Sequence, residues 1–254
     1  MSTTMLKTAT LSLALLITAC TTTMDQPTRQ ANPEAAKEAF IQLGLGYMQE
    51  GETERAKGPL TEALKIDRHS SSANVALALV FQQEGEYDDA EKHFRAALAS
   101  EPENPRILNN FGVFMLERER YQEAKQMFSK AAENPLYGER SRVFANLGLT
   151  QLALEDSEGA KASFERSLRL NARQPLALLE LAKIQFAEQN FVGAWDNYLR
   201  FTQLSGQDAS SLWLGYQLAR RFEDHNRAAS YALQLRRLYP ASIEAQALGG
   251  ANNR

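Results

Sequence analysis

The sequence predicts an all-α protein, a right-handed superhelical solenoid of about six helix-turn-helix repeats. Three observations carry that expectation. A small residue recurs inside apolar runs at Gly44, Ala78, Gly112, Gly148, Ala182 and Gly215, in steps of 34, 34, 36, 34 and 33 residues. A second small residue keeps step with it at Ala56, Ala90, Ala124, Ala160, Ala194 and Ala228. The first five of these are followed, four residues on, by Leu60, Phe94, Phe128, Phe164 and Tyr198, a spacing that puts both on one helical face. Antiparallel helices approach to about 8 Å only where the crossing side chains are small, so Gly44 is expected to face Ala56, with Leu60 filling space against the next repeat. One hairpin cannot bury its own apolar face, whereas a stack of six can.

The elements follow in order. Residues 1–19 carry Lys7 and no acid, then run through Leu, Ala and Ile from Ala9 to Ala19, the layout of an export signal. A spanning helix needs about 20 apolar residues, and Thr21, Thr22, Thr23 and Asp25 end this run early. Ile17, Thr18, Ala19 and Cys20 resemble the lipobox of bacterial lipoproteins, in which a cysteine behind a small residue is acylated before cleavage. That resemblance implies a covalent lipid on Cys20, the only cysteine of the chain, and Thr21 in the next position implies an outer-membrane address. No other cofactor is expected. Residues 20–33 read as the lipidated N-terminus and a polar tether, after which Asn32 can cap a helix whose first position is Pro33.

The repeats are expected at about 37–70, 71–104, 105–138, 141–174, 175–207 and 208–240, with 241–254 as a C-terminal tail. Gly51 and Gly85 mark hairpin bends, and Pro105 and Pro175 open new repeats. "NPLYGERS", Asn134 to Ser141, adds two residues between the third and fourth copies, as a junction or as a specific contact. These residues resemble the tetratricopeptide repeat, with its large apolar residue, Leu-Gly, aromatic, Ala, Phe, Ala and Pro. The chain departs from that pattern in places. The closing proline stands only at Pro102 and Pro240, with Arg68 and Ala172 elsewhere. Phe201 takes the last small position of the fifth repeat, and the sixth is off by one residue between its helices.

Composition narrows the function. A net charge of -3 argues against nucleic-acid binding, which needs a basic field, and 44% hydrophobic with 23% charged residues is ordinary for a packed domain. His69, His93 and His225 fall in different repeats without metal-ligand spacing, and the carboxylates sit three or four residues from Lys or Arg, as Glu62 does from Lys65. No catalytic constellation and no metal site emerge, so the expected role is protein binding rather than catalysis. Gly44 and Gly46 in "LGLGY" are read as packing positions, not a phosphate loop.

In a right-handed stack the first helix of each pair lines the concave side, at the residues three before and one after each small Gly or Ala. The candidate partner-binding groove is therefore Ile41 and Leu45, Val75 and Leu79, Asn109 and Val113, Ala145 and Leu149, and Leu179 and Lys183. Met48, Leu116, Leu152 and Phe186 extend it. Such a largely apolar lining suits an amphipathic helix or an apolar strand-forming segment. Asn110 and Asn146 are read as structural. From Ser211 to Arg254 the chain carries six arginines against Glu223, Asp224 and Glu244, which suits an acidic partner or a solvated face.

Beyond the repeats, "FIQLGLGYMQEGETERAKGPLTEALKID" (Phe40 to Asp67), "LNNFGVFMLERERYQEA" (Leu108 to Ala124), "ERSRVFANLGL" (Glu139 to Leu149) and "RFEDHNRAASYALQLRRLYP" (Arg221 to Pro240) resemble the type IV pilus biogenesis and stability lipoproteins, the PilW/PilF family. The resemblance implies a pilotin. Such a protein is an outer-membrane, lipid-anchored lipoprotein on the periplasmic face, with six tetratricopeptide repeats, delivered by the lipoprotein-sorting machinery. Its partner is a secretin subunit of the pilus channel, which it helps to reach the outer membrane and multimerise. The rival expectation is a general periplasmic repeat scaffold for envelope or cell-wall assembly.

Overall fold

The structure, a computed structural model, describes residues 32–251; the leader, Cys20, the tether to residue 31 and the last three residues lie outside them. Among the described residues every element is a helix. Six hairpins follow one another: α1 (Pro33–Gln49) with α2 (Thr53–Ile66), α3 (Ser71–Glu84) with α4 (Tyr87–Ser100), and α5 (Pro105–Glu117) with α6 (Tyr121–Glu133). The second half continues with α7 (Arg140–Ala153) and α8 (Ser157–Leu170), α9 (Pro175–Ala187) and α10 (Phe191–Thr202), then α11 (Ala209–Arg221) and α12 (His225–Leu238). Each hairpin packs on its neighbours, giving a tetratricopeptide solenoid.

Helix starts follow the expected chemistry. Asn32 Oδ1 accepts from the N–H groups of Glu34 and Ala35 at 3.1 and 3.3 Å, with Pro33 in the first turn, and Asn104 with Pro105 repeats the device. Asp208 accepts the Ser211 N–H at 2.7 Å while the Asp208 N–H donates to Ser211 Oγ at 2.9 Å, a reciprocal cap. Both put orphan donors to use.

The hairpin bends share one backbone solution. Gly51 and Gly85 sit in the left-handed region at φ 79° and 80°, as do Glu119 (58°), Glu155 (61°), Gln189 (63°) and Glu223 (57°) at the equivalent positions. The next N–H then reaches the carbonyl five residues back, from Glu52 to Tyr47 at 2.8 Å and from Asp224 to Ala219 at 2.9 Å. A side chain in this conformation costs about 1–2 kcal/mol, and glycine gives back part of that through its looser unfolded chain. Glu119→Gly and Glu155→Gly should therefore each stabilise the fold by about 0.5–1 kcal/mol, read as a higher urea midpoint at unchanged slope. A lower midpoint would mean that the carboxylates do more at these bends than occupy them.

Packing inside the first, third and fourth hairpins adds to the expected contact. The large residue of the second helix closes on the small residue of the first, besides filling space against the next repeat. A Cβ on Gly44 would lie 2.5 Å from Leu60 Cγ, one on Gly112 would lie 2.7 Å from the Phe128 ring, and one on Gly148 would lie 2.6 Å from Phe164. Leu60, Phe94, Phe128, Phe164 and Tyr198 are all fully buried, and so are Ala56, Ala90, Ala124, Ala160 and Ala194. The reason is size: glycine opens a notch that an adjacent Ala is too short to fill, and the next-turn aromatic is not. Gly46 has no such role, since nothing lies within 4 Å of a Cβ built there.

The two irregular repeats are related. Phe201, in a position where the first four repeats have Ala63, Ala97, Ala131 and Ser167, is buried with Leu178, Tyr198, Leu214 and Leu218. Gly215 of the sixth repeat receives Tyr198 from the fifth, and Tyr231 of α12 packs edge-on against that ring at 5.9 Å. Residues 203–208 make room for this shift. Tyr239 Oη donates to the Gln207 carbonyl at 2.8 Å, and the Gln207 amide donates to Tyr198 Oη, which pins the longer junction.

The expected tail is not one. Residues 243–251 form α13 (Ile243–Ala251), and Leu248 is buried among Leu212, Tyr216, Ala219, Ala228 and Leu235. It covers apolar surface that the last hairpin of any stack would otherwise expose. Asn134 to Ser141 makes a tight junction, with Asn134 Oδ1 accepting from Leu136 N–H at 3.0 Å and Arg140 Nε donating to the Ala132 carbonyl at 2.6 Å. Leu136 at its tip is 92% exposed.

Candidate protein-binding groove

The first helices α1, α3, α5, α7 and α9 carry the residues expected to meet a partner, and the structure divides them into two sets. Ile41, Val75, Asn109 and Ala145, each three before the small residue, are buried at 3%, 5%, 5% and 0% exposure and cannot serve as contact points. Ile41 packs with Ala63 and Ala73, and Val75 with Ala97 and Ile107. Curvature of the stack brings neighbouring first helices together at this height, so the start of the next first helix covers the position. Asn109 Oδ1 instead receives Asn146 Nδ2 from α7 at 3.4 Å, consistent with a structural role for Asn146.

The second set remains accessible. Leu45, Met48, Leu79, Val113, Leu116, Leu149 and Leu152 are half-buried, each with one flank against the core. They form an apolar stripe across α1, α3, α5 and α7, and Leu179, Lys183 and Phe186 continue it on α9, also half-buried. Each such residue offers side-chain surface without requiring the fold to open.

One member escaped the sequence reading. Gln82 lies four residues after Ala78, the position held by Met48, Leu116, Leu152 and Phe186 in the other repeats. Its Nε2 donates to Glu117 Oε2 of the next repeat at 2.5 Å, while its buried Oε1 has no hydrogen-bond partner among the described residues. The same register that found Met48 would have found it; the amide hid it from a search for apolar residues.

Electrostatics at the rim tie repeats together rather than prepare chemistry. Lys57 bridges to Glu84 of the next hairpin at 2.5 Å and to Glu54 at 3.0 Å, and these carboxylates raise its pKa. Glu91, paired with Arg120 of the next repeat at 2.6 Å and with Arg95, is held below the usual carboxylate range, chiefly by Arg120. His93 is half-buried, stacks on Phe81 at 5.4 Å and meets Asn74 Oδ1 at 2.9 Å; burial lowers its pKa, so the ring is neutral at pH 7. Among the described residues no group of three or more His, Cys, Asp or Glu side chains could hold a metal, and no helix is long and apolar enough to cross a membrane.

Known proteins share this arrangement. Family models described as tetratricopeptide repeat match residues 81–135 and 146–209. The type IV pilus assembly protein PilF of Pseudomonas aeruginosa is 50% identical over 236 residues, covering 92% of this chain and 94% of that protein. The solved structure of Pseudomonas aeruginosa PilF superposes with a TM-score of 0.85, covering 86% of this chain and 99% of the other. PilW, a widely conserved type IV pilus biogenesis factor, superposes at 0.72 with 27% identity, covering 84% and 97% of the two chains. Identity at this level across nearly both full lengths, on one solenoid, means that the chain belongs to the PilF/PilW family of tetratricopeptide-repeat proteins of type IV pilus biogenesis.

Proposed function

We propose that this protein acts in type IV pilus assembly as a pilotin, an outer-membrane lipoprotein that grips secretin subunits and promotes their localisation and multimerisation. The observation that carries the grip is the half-buried apolar stripe of Leu45, Met48, Leu79, Val113, Leu116, Leu149 and Leu152. Because a solenoid repeats one surface at fixed steps, the stripe is long, interrupted by Gln82 on α3, and its largely apolar character suits a helix or strand-forming segment of a partner. Acyl chains on Cys20 supply the address. Each buried methylene adds about 0.8 kcal/mol of membrane affinity, and more than one chain is needed for stable anchoring. The lipoprotein-sorting machinery delivers the anchor, and the subunit travels as ligand.

The test is a double variant of the stripe, Met48→Glu with Leu116→Glu. Losing a buried apolar anchor at an interface costs about 1–3 kcal/mol, so two together should reduce secretin co-purification and heat-resistant multimers by tenfold or more. Helical signal, melting temperature and membrane fraction are measured alongside, and should stay near the parent's. A variant that keeps its fold, its membrane address and its full secretin yield places the binding site elsewhere.

A further inference from the structure

The last hairpin carries a second surface, apart from the concave stripe and independent of the pilotin reading. A cavity of about 520 Å³ runs beside α12. His225, Ala228, Ala229, Ala232, Leu233 and Arg236 line it from that helix. Their spacing of 0, 3, 4, 7, 8 and 11 residues makes them one face of α12, and at about 1.5 Å per residue the face is about 16 Å long. Tyr216 and Arg220 of α11 form the facing wall, with Leu248 of α13 at the floor.

The charge of this slot is of one sign, at both ends. Arg220 stands at one end, fixed by its Nη1 donating to Tyr216 Oη at 3.2 Å, and Arg236 stands at the other. Among the described residues neither has a carboxylate within ion-pair distance, whereas Arg227 on the opposite side of α12 pairs with Asp224 at 3.5 Å. The middle is alanine, with Leu233 62% exposed at its edge. In earlier repeats the next hairpin covers this side of the second helix. Here only α13 is available, and its nine residues do not cover the fourteen of α12.

We propose that this slot docks an amphipathic helix of a partner protein, about three turns long, apolar on the face that meets the alanines and carrying carboxylates in its first and last turns. Small floor residues permit the close approach that helix packing requires. Guanidinium groups at both ends recognise carboxylates by charge-assisted hydrogen bonds and fix the register. A second copy of this chain is disfavoured, because a two-fold contact through the slot would set arginines against arginines.

The probe is a fluorescein-labelled, lactam-locked helix of fourteen residues with leucines along one face and glutamates in the first and last turns; the control carries glutamines instead. Anisotropy titration of the full-length chain should show the glutamate helix binding at least tenfold more tightly than the control. Arg220→Gln with Arg236→Gln should remove that preference, and Ala229→Phe, which fills the slot from an exposed position, should weaken both helices at least fivefold. Melting temperatures should stay unchanged in both variants. Equal affinity for the two helices, no measurable binding of either, or full binding by the double variant overturns the proposal. So does phosphatidylglycerol-vesicle binding that depends on the two arginines while the helix stays unbound, or a dimer in sedimentation that the same substitutions abolish.

Discussion

Gly112→Leu should destabilise the protein by about 1–3 kcal/mol or more, the cost of overpacking a filled core. The Cβ alone would stand 2.7 Å from the Phe128 ring, a fully buried aromatic hemmed in by Leu108, Phe111 and Ala124 in the same cluster. The ring can move only by displacing its neighbours, since interiors are packed like organic crystals. Gly46→Ala is the matched control. Gly46 is also a helix-interior glycine, but a Cβ there meets nothing within 4 Å, so the substitution should stabilise by about 0.5–1 kcal/mol. Urea unfolding followed by helical circular dichroism reads both. Shifts of the same sign would mean that the notch at Gly112 is not where the hairpin closes.

Cys20→Ser should change the protein's place rather than its fold. Under the proposed reading the thiol, on the only cysteine of the chain, carries the lipid, and among the described residues no helix is long and apolar enough to cross a membrane in its place. The expected result is a folded protein found in soluble or inner-membrane fractions of a sucrose gradient, with secretin multimers reduced or in the wrong membrane. A variant that still bands with the outer membrane rules out the lipobox as the anchor. Labelling the parent with a palmitate analogue gives the positive control.

Much of the architecture is legible because small residues are rare enough at helix crossings for their period to stand out. Gly44 to Gly215 locate six first helices from one residue each. The groove was read less well. Periodicity within one hairpin says which face turns away from its own partner, yet Ile41 and Val75 are covered by the following repeat, a contact some thirty residues distant that no local pattern encodes. Bend geometry was half visible: Gly51 and Gly85 announce a left-handed residue, whereas Glu119, Glu155, Gln189 and Glu223 adopt it without advertising it. The helix α13 was missed because Gly249, Gly250 and the asparagines after them look like a frayed end. The apolar spacing of Ala245 and Leu248 was the available signal.

Nearest-neighbour packing gives the stack a grain. Among the described residues the main helix contacts run within a hairpin or to the next one, so the molecule behaves as a row of coupled units in which a fault spreads as far as its coupling allows. Residues 134–139 and 203–208 are the longer connections of the row, yet apolar packing runs unbroken across the first, where Val143 and Leu147 of α7 join Phe111 and Phe128 of the third hairpin. A lesion in the first three hairpins takes the apolar stripe of Leu45, Leu79 and Leu116 with it, while one in the closing hairpin reaches those hairpins only through the two between and leaves their stripe standing.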